Sequence, residues 1–165
     1  MKTLVITLSK TFPRQHPKAG QPTYFEEKIT AFKGNAYKKI HTCRQNVEYW
    51  AKKIDKLKAD GGVLSVRQWS GTPRRSKQEI IVNIPAEDIG YSIIEWYLHD
   101  RDGCTNWKYI RVWEMENGHK KSCRDITLEE LASNDGLSVD DFKAWFRDYD
   151  LTKPLIMIHF TNFKY

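Results

Sequence analysis

The sequence predicts an α+β fold in which helices flank a small antiparallel or mixed β-barrel. Three observations support this prediction: a strand pattern opens the chain, short segments rich in β-branched and aromatic residues fill its middle, and capped helices follow near its end. The 165 residues suit a single domain spanning 1–165, since a chain of this length buries roughly two-thirds of its unfolded surface.

The N-terminal part of the chain predicts one strand and two helices. Apolar and polar side chains alternate over residues 3–9, which is the pattern of a half-buried strand. A loop rich in proline, glycine and basic residues separates this strand from a short helix within 23–33. Asn46 is placed as the N-cap of a longer amphipathic helix over 47–60, which a pair of glycines ends.

Short segments separated by turn-rich links predict further strands. Four of them are expected to share one curved, closed sheet: "VLSVRQW", "QEIIVNI", "NWKYIRVWE" and "PLIMIHF". Residues 91–99 have the same composition and predict another strand. A basic cluster at 119–124, after an expected hairpin turn at 117–118, is interpreted as a solvated face.

Two helices are predicted in the C-terminal third because two capping boxes occur there. Thr127 is followed three residues later by Glu130, and Ser138 by Asp141, each before an apolar run. The turn "NDG" at 134–136 separates them.

Charge and cysteine content limit the functional classes. The chain has 27 lysines and arginines against 21 acids, a net charge of +6 that favours polyanionic partners without requiring one. Its three cysteines, Cys43, Cys104 and Cys123, lack the paired spacing of a zinc site and suit reduced thiols in a cytoplasm. Neither a signal-peptide apolar region nor a membrane-length apolar window occurs, so a cytoplasmic protein without membrane contact is expected.

The stretch "KKIHTCRQN" at 38–46 concentrates groups that carry protons or bind phosphate. Arg44 can offer a bidentate fork to a phosphate or a base edge, or it can pair with an acid and anchor the following helix. His41 and Cys43 are neighbours, but no third ligand stands at metal spacing, so no metal is expected. Nothing in the sequence implies a cofactor.

A second candidate surface combines cations with an aromatic ring. Arg67, Trp69, Arg74, Arg75 and Lys77 form the mixture that stacks bases and neutralises phosphates of single-stranded nucleic acid. The alternative is a solvated hairpin in which Trp69 ends a strand in the core.

The segment "KKIHTCR" resembles the lysine, threonine and arginine signature of the ASCH domain, a family of small PUA-like β-barrels. The segment from "ITLEELASNDG" to "PLIMIHFTNF" is similar to the closing helices and strand of that family, so the resemblance covers most of residues 38–165. Residues 1–37 match only loosely. The nearest chemically characterised relatives are small bacterial amidohydrolases that act on N(4)-acetylcytidine.

The resemblance implies a site in which the family's lysine, threonine and acid correspond to Lys39, Thr42 and Asp135, and its arginine to Arg44. The chain has Tyr37 where the family has glycine, and an aspartate where the relatives have glutamate. In such a site a neutral Lys39 acts as base, Thr42 attacks an amide carbonyl, and Asp135 orients the amine. Because lysine and threonine are three residues apart, this chemistry requires irregular backbone between them. In the non-catalytic alternative, the lysine contacts a phosphate, the threonine forms a hydrogen bond with the strand backbone, and the acid only forms a turn.

Three functions follow from these patterns. The leading hypothesis is an ASCH-type domain that binds RNA or a modified nucleobase in a basic cleft between 38–46, Trp69 and the turn at 134–136. The first alternative is an amidohydrolase that deacylates an N-acylated nucleoside through the three residues named above. The second is a module for a protein partner, without a role on nucleic acid.

Overall fold

Two β-sheets and four α-helices make up the part of the chain that the structure describes, which confirms the α+β class. The computed structural model describes residues 2–30, 38–101, 104–116, 118–163 and 165. The helices are α1 (Phe25–Thr30), α2 (Val47–Ala59), α3 (Leu128–Asn134) and α4 (Val139–Phe146). The strands are β1 (Thr3–Leu8), β2 (His41–Arg44), β3 (Val63–Trp69), β4 (Gln78–Pro85), β5 (Gly90–Arg101), β6 (Cys104–Glu116), β7 (His119–Ile126) and β8 (Leu155–His159).

The strands divide between a mixed sheet and an antiparallel sheet. The first has the order β1-β3-β4, with β1 and β3 parallel, and the second has the order β2-β8-β5-β6-β7. The prediction that four segments share one sheet is therefore wrong, because β3 and β4 belong to the first sheet while β6 and β8 belong to the second. A short 3₁₀ helix, Ala86–Asp88, separates β4 from β5 where the chain changes sheet.

The apolar runs of the sequence lie where the two sheets and the helices enclose the core. All five residues of β8 are buried, because this strand lies between β2 and β5. Helix α2 packs against β1, β5 and β8 and buries Ile54 and Leu57 of its predicted apolar stripe. Trp50 of the same stripe is only partly buried.

The predicted helix starts are confirmed by their caps. Asn46, Thr127 and Ser138 each accept a hydrogen bond from the backbone amide three residues later, at 3.1–3.3 Å. One strand was missed: the basic cluster at 119–124 belongs to β7, whose residues are exposed except Ile126. It pairs with β6 on one side only, so it lacks the apolar alternation that would have indicated a strand.

None of the helices in the described ranges is both long enough and apolar enough to cross a membrane.

Candidate functional site

Three chain segments meet just before β2. Lys39 forms an antiparallel bridge with Asp135, which follows α3, and the amide of Ile40 donates to the carbonyl oxygen of Asn134 at 3.0 Å. The Lys39 amide donates to the carbonyl oxygen of Lys28 in α1 at 3.1 Å. The irregular backbone that the catalytic hypothesis required is present, since β2 begins only at His41. Tyr37, where the family has glycine, lies outside the described residues.

Gly136 allows the "NDG" turn to approach Lys39 closely. Its φ is +75°, and a Cβ at this position would lie 3.2 Å from the Cβ of Lys39 and 3.2 Å from the Cδ of Lys28. The Lys28 amine donates to the Gly136 carbonyl oxygen at 2.7 Å. The turn therefore needs glycine for both its backbone conformation and its packing.

Lys39 and Asp135 form an ion pair inside the protein. The Lys39 Nζ lies 2.7 Å from Oδ1 of Asp135 and also donates to the Asp135 carbonyl oxygen at 2.9 Å. The two residues are only 1% and 4% exposed. The same Nζ lies 4.1 Å from the centre of the Phe25 ring, a cation–π contact.

The pKa values of the pair are shifted towards each other. Burial lowers the pKa of the Lys39 amine, an effect that the charge of Asp135 opposes. Burial raises the pKa of the Asp135 carboxyl, and the charge of Lys39 opposes this in turn. Lys39 is therefore closer to the neutral form that a base requires than a lysine in water.

The guanidinium of Arg44 is directed at Thr42. Its Nη1 donates to Oγ1 of Thr42 at 2.8 Å and to the Cys43 carbonyl oxygen at 3.0 Å, while Nη2 donates to the Thr7 carbonyl oxygen at 2.9 Å. Since Arg44 occupies a lone pair of the threonine oxygen, the hydroxyl proton is left for transfer to an acceptor. A cation at this distance also stabilises negative charge that develops on Oγ1.

Lys39, Thr42, Arg44 and Asp135 line one small cavity. Its volume is about 30 Å³, and aromatic side chains that include Phe25 complete its wall. Such a space holds about two water molecules, far less than the roughly 300–1,000 Å³ of sites that enclose a whole small-molecule ligand. A group of about two or three non-hydrogen atoms matches this volume, whereas a nucleobase does not.

The other predicted ligand residues lie elsewhere. None of Arg67, Trp69, Arg74, Arg75 and Lys77 lines the cavity. Arg67 donates to Oγ of Ser65 at 2.9 Å, and alternation along β3 places it with the half-buried Trp69 on the face opposite the buried Leu64, Val66 and Gln68. The predicted cleft between the 38–46 stretch and Trp69 is therefore not this cavity, and it stays a prediction.

His41 and Cys43 are both buried and alternate with Thr42 along β2; Cys43 also lines the cavity, whereas His41 does not contact it as a ligand residue would. The Nε2 atom of His41 lies 3.9 Å from Oδ1 of Asp135. The ligand atoms of His41, Cys43 and Asp135 all lie within 4.8 Å of one another. Asp135, from a distant part of the chain, thus lies where it could serve as the third ligand that the local spacing lacks.

Several features of the site were missed by the sequence reasoning. Phe25 and Lys28 come from α1, and no local signal links that helix to the signature stretch. A second space, a cleft of about 690 Å³ beside the start of β5 and the end of β8, was also not predicted. It contains Ser92 and His159, whose Oγ and Nε2 atoms are 2.9 Å apart.

Comparison with protein-family models, curated proteins and solved structures yields no match for this chain.

Proposed function

We propose that the chain is an amidohydrolase of the ASCH type that removes a small acyl group from an N-acylated nucleobase or nucleoside. The observation that carries this proposal is that Lys39, Thr42, Arg44 and Asp135 converge on one cavity. A base, a hydroxyl nucleophile, a cation and an acid are the groups that amide hydrolysis through a covalent intermediate needs.

A purely structural role explains the ion pair less well. Buried ion pairs pay a desolvation penalty that often equals or exceeds their attraction, so well-packed apolar residues serve stability as well or better. Lys39 and Asp135 are nonetheless both buried and 2.7 Å apart, beside a hydroxyl group in the same cavity. Buried titratable pairs of this kind are concentrated at functional sites.

The chemistry proceeds in two balanced steps. Lys39 becomes neutral when it passes its proton to the Asp135 carboxylate, 2.7 Å away. It then takes the hydroxyl proton of Thr42 while Oγ1 attacks the amide carbonyl carbon, and the departing nitrogen takes that proton from the Lys39 ammonium. Water then attacks the acyl-threonine and gives up a proton to Lys39, which returns this proton to Oγ1 of Thr42 as the ester bond breaks, and the carboxylic acid leaves. Asp135 holds the amine in place, and Arg44 stabilises negative charge at the threonine oxygen.

In this proposal the acyl group enters the small cavity and the nucleobase stays outside it. A space of about 30 Å³ accommodates an acetyl group, so the nucleoside has to remain at the cavity mouth. This arrangement favours acetyl over larger acyl groups.

Turnover of N(4)-acetylcytidine by the purified protein tests the proposal. Thr42→Val keeps the side-chain shape and is expected to lower kcat by about 10² or more, because it removes the nucleophile. Thr7→Val is the matched control: it makes the same change on an exposed neighbour whose backbone carbonyl still binds Arg44. An inactive wild type, or a Thr42→Val variant as active as the control, would exclude this function.

A second candidate function, RNA binding, is favoured by the organised loop after β3. Ser76 ties the loop together, because its Oγ accepts from the Gly71 amide at 3.0 Å and donates to the Thr72 carbonyl oxygen at 2.9 Å. This loop presents three exposed cations to solvent, which we call the basic loop: Arg74, Arg75 and Lys77. A fixed cationic loop beside Trp69 suits a single-stranded polyanion.

A further inference from the structure

A second group of reactive side chains lies next to the ion pair, at β2 and the end of α3. His41 and Cys43 are two residues apart on this strand, so both point to the same face. The bridge between Lys39 and Asp135 brings the carboxylate to that face from the end of α3. The ligand atoms of His41, Cys43 and Asp135 lie within 4.8 Å of one another, and the three residues are at most 4% exposed.

The imidazole of His41 presents an unused nitrogen to the carboxylate. Its Nδ1 lies 3.4 Å from the hydroxyl oxygen of Tyr165, which accepts a hydrogen bond from the Asn134 side chain at 3.0 Å. Nε2 is buried and makes no hydrogen bond within the described residues, and it faces Oδ1 of Asp135 across 3.9 Å. When Nδ1 carries the proton towards Tyr165, an imidazole lone pair and a carboxylate oxygen face each other with no donor between them.

We propose that His41, Cys43 and Asp135 bind one thiophilic divalent cation, of the class of Zn²⁺ and Cd²⁺, and that this ion inhibits the hydrolase. Imidazole nitrogen, thiolate sulfur and carboxylate oxygen are the donor set that zinc takes in proteins, whereas Mg²⁺ and Ca²⁺ prefer oxygen ligands alone. Tyr165 supplies the outer partner that a metal-bound histidine commonly has on its second nitrogen.

The ion has to draw its ligands together. Tetrahedral zinc holds its ligand atoms about 3.5 Å from one another, so the widest separation of 4.8 Å must shrink by about 1 Å. The cavity of about 30 Å³ that Cys43 and Asp135 also line provides room beside the ligands for a water molecule as fourth ligand.

The ion competes with Lys39 for the same carboxylate. Lys39 lies 2.7 Å from Oδ1 of Asp135, and Arg44 and Lys28 add positive charge nearby. When the ion binds, the Cys43 thiol releases its proton to solvent. A divalent ion with one thiolate and one carboxylate ligand has no net charge, so the complex does not repel these cations strongly. It does take from Lys39 the carboxylate that holds its amine in place, and inhibition follows from the loss of that positioning. The inhibitory part of the inference rests on the proposed function, whereas binding does not.

Cd²⁺ titration tests binding directly, because a cadmium–thiolate bond absorbs in the ultraviolet. The chain used carries serine at its other cysteines, Cys104 and Cys123, so that only Cys43 can give the signal. One Cd²⁺ per chain is expected, and Cys43→Ser should abolish the absorption. His41→Gln should weaken binding at least about tenfold. No absorption in the chain that keeps Cys43, or full affinity in His41→Gln, would overturn the site.

Lys39→Met provides a gain-of-binding test that misfolding cannot imitate. Removing the competing ammonium should tighten Cd²⁺ binding, and unchanged or weaker binding would contradict the assigned ligand set. Inhibition is then measured on N(4)-acetylcytidine turnover, and its midpoint should match that of the absorption change. If the wild-type protein is inactive but still binds Cd²⁺, the hydrolase proposal is refuted and the metal site stands. If the protein is active and Cd²⁺ does not inhibit it, the inhibitory role is refuted.

Discussion

Replacing either member of the Lys39–Asp135 pair should destabilise the protein with opposite dependences on pH. Lys39→Met leaves a carboxyl buried without its counter-ion, which costs about 3–5 kcal/mol when the carboxyl stays charged. The carboxyl can instead bind a proton. Protonating a carboxyl with a normal pKa near 4 costs about 1.4 kcal/mol for each pH unit above that pKa. At pH 7, protonation therefore limits the loss of stability to about 4 kcal/mol.

The sign of the pH dependence follows from which form burial favours. In Lys39→Met the folded-state pKa of Asp135 lies above the unfolded value, so the variant regains stability as the pH falls. At pH 5 its loss of stability is limited to about 1.5 kcal/mol. In Asp135→Leu the folded-state pKa of Lys39 lies below the unfolded value near 10.4. This variant regains stability as the pH rises. Its loss of stability is limited to about 5 kcal/mol at pH 7 and to about 2 kcal/mol at pH 9.

The double variant Lys39→Met/Asp135→Leu leaves no buried charge of the pair behind. We expect its free energy of unfolding to lie within about 2 kcal/mol of wild type, since the Asp135 carbonyl oxygen still loses the Lys39 donor. Urea unfolding at pH 5, 7 and 9, followed by tryptophan fluorescence, measures all three variants.

Lys2→Met is the matched control for this cycle. It breaks an ion pair of similar length, 2.8 Å to Asp60, whose side chains are far more exposed. Its unfolding midpoint should stay close to that of wild type at each pH. Single variants of the buried pair that lose equal stability at every pH, or a double variant as unstable as the two singles combined, would refute the reasoning.

Three further predictions concern the turn, the cavity and the basic loop. Gly136→Ala should lower the free energy of unfolding by about 1–2 kcal/mol, since its φ is +75°, and should also reduce turnover by displacing Lys39. Gly20→Ala has the same backbone strain at φ +79° but no atom within 4 Å, so it should leave turnover intact; equal activities of the two variants would show that the turn does not position the site. In a series of N(4)-acylcytidines, kcat/KM should fall by about 10² from acetyl to benzoyl because of the cavity volume, and a flat series would contradict the assignment of the acyl group to the cavity. If the basic loop binds single-stranded RNA, replacing its three cations by alanine should weaken binding and flatten the dependence of log K on log salt, measured by fluorescence polarisation, whereas an unchanged slope would assign the loop to the solvated surface.

Local signals in the sequence were sufficient for the helices. Asn46, Thr127 and Ser138 carry their capping information within three residues, and each caps the helix expected of it. Strand partners depend on contacts between distant segments. The apolar pattern of β3 could not specify that it pairs with β1 in one sheet while β6 and β8 pair in another.

The candidate site was predictable only where the family resemblance supplied a long-range link. Lys39 and Asp135 were placed together through that resemblance, and they lie 2.7 Å apart. Trp69 was placed in the same cleft from composition alone, and it does not line the cavity; strand alternation puts it on the face of β3 opposite the buried Leu64, Val66 and Gln68. Phe25 was missed, since no sequence pattern shows that α1 packs over the lysine.

The most direct test of the central claim is to trap the covalent intermediate that Thr42 would form. The protein is mixed with N(4)-acetylcytidine, quenched in acid during turnover and digested, and the peptide that contains Thr42 is examined by mass spectrometry. We predict an acetyl group on Thr42 in the wild type that is absent from Thr42→Val, since acid quenching preserves an ester. Turnover with no acetyl on Thr42, together with undiminished activity of Thr42→Val, would contradict the account.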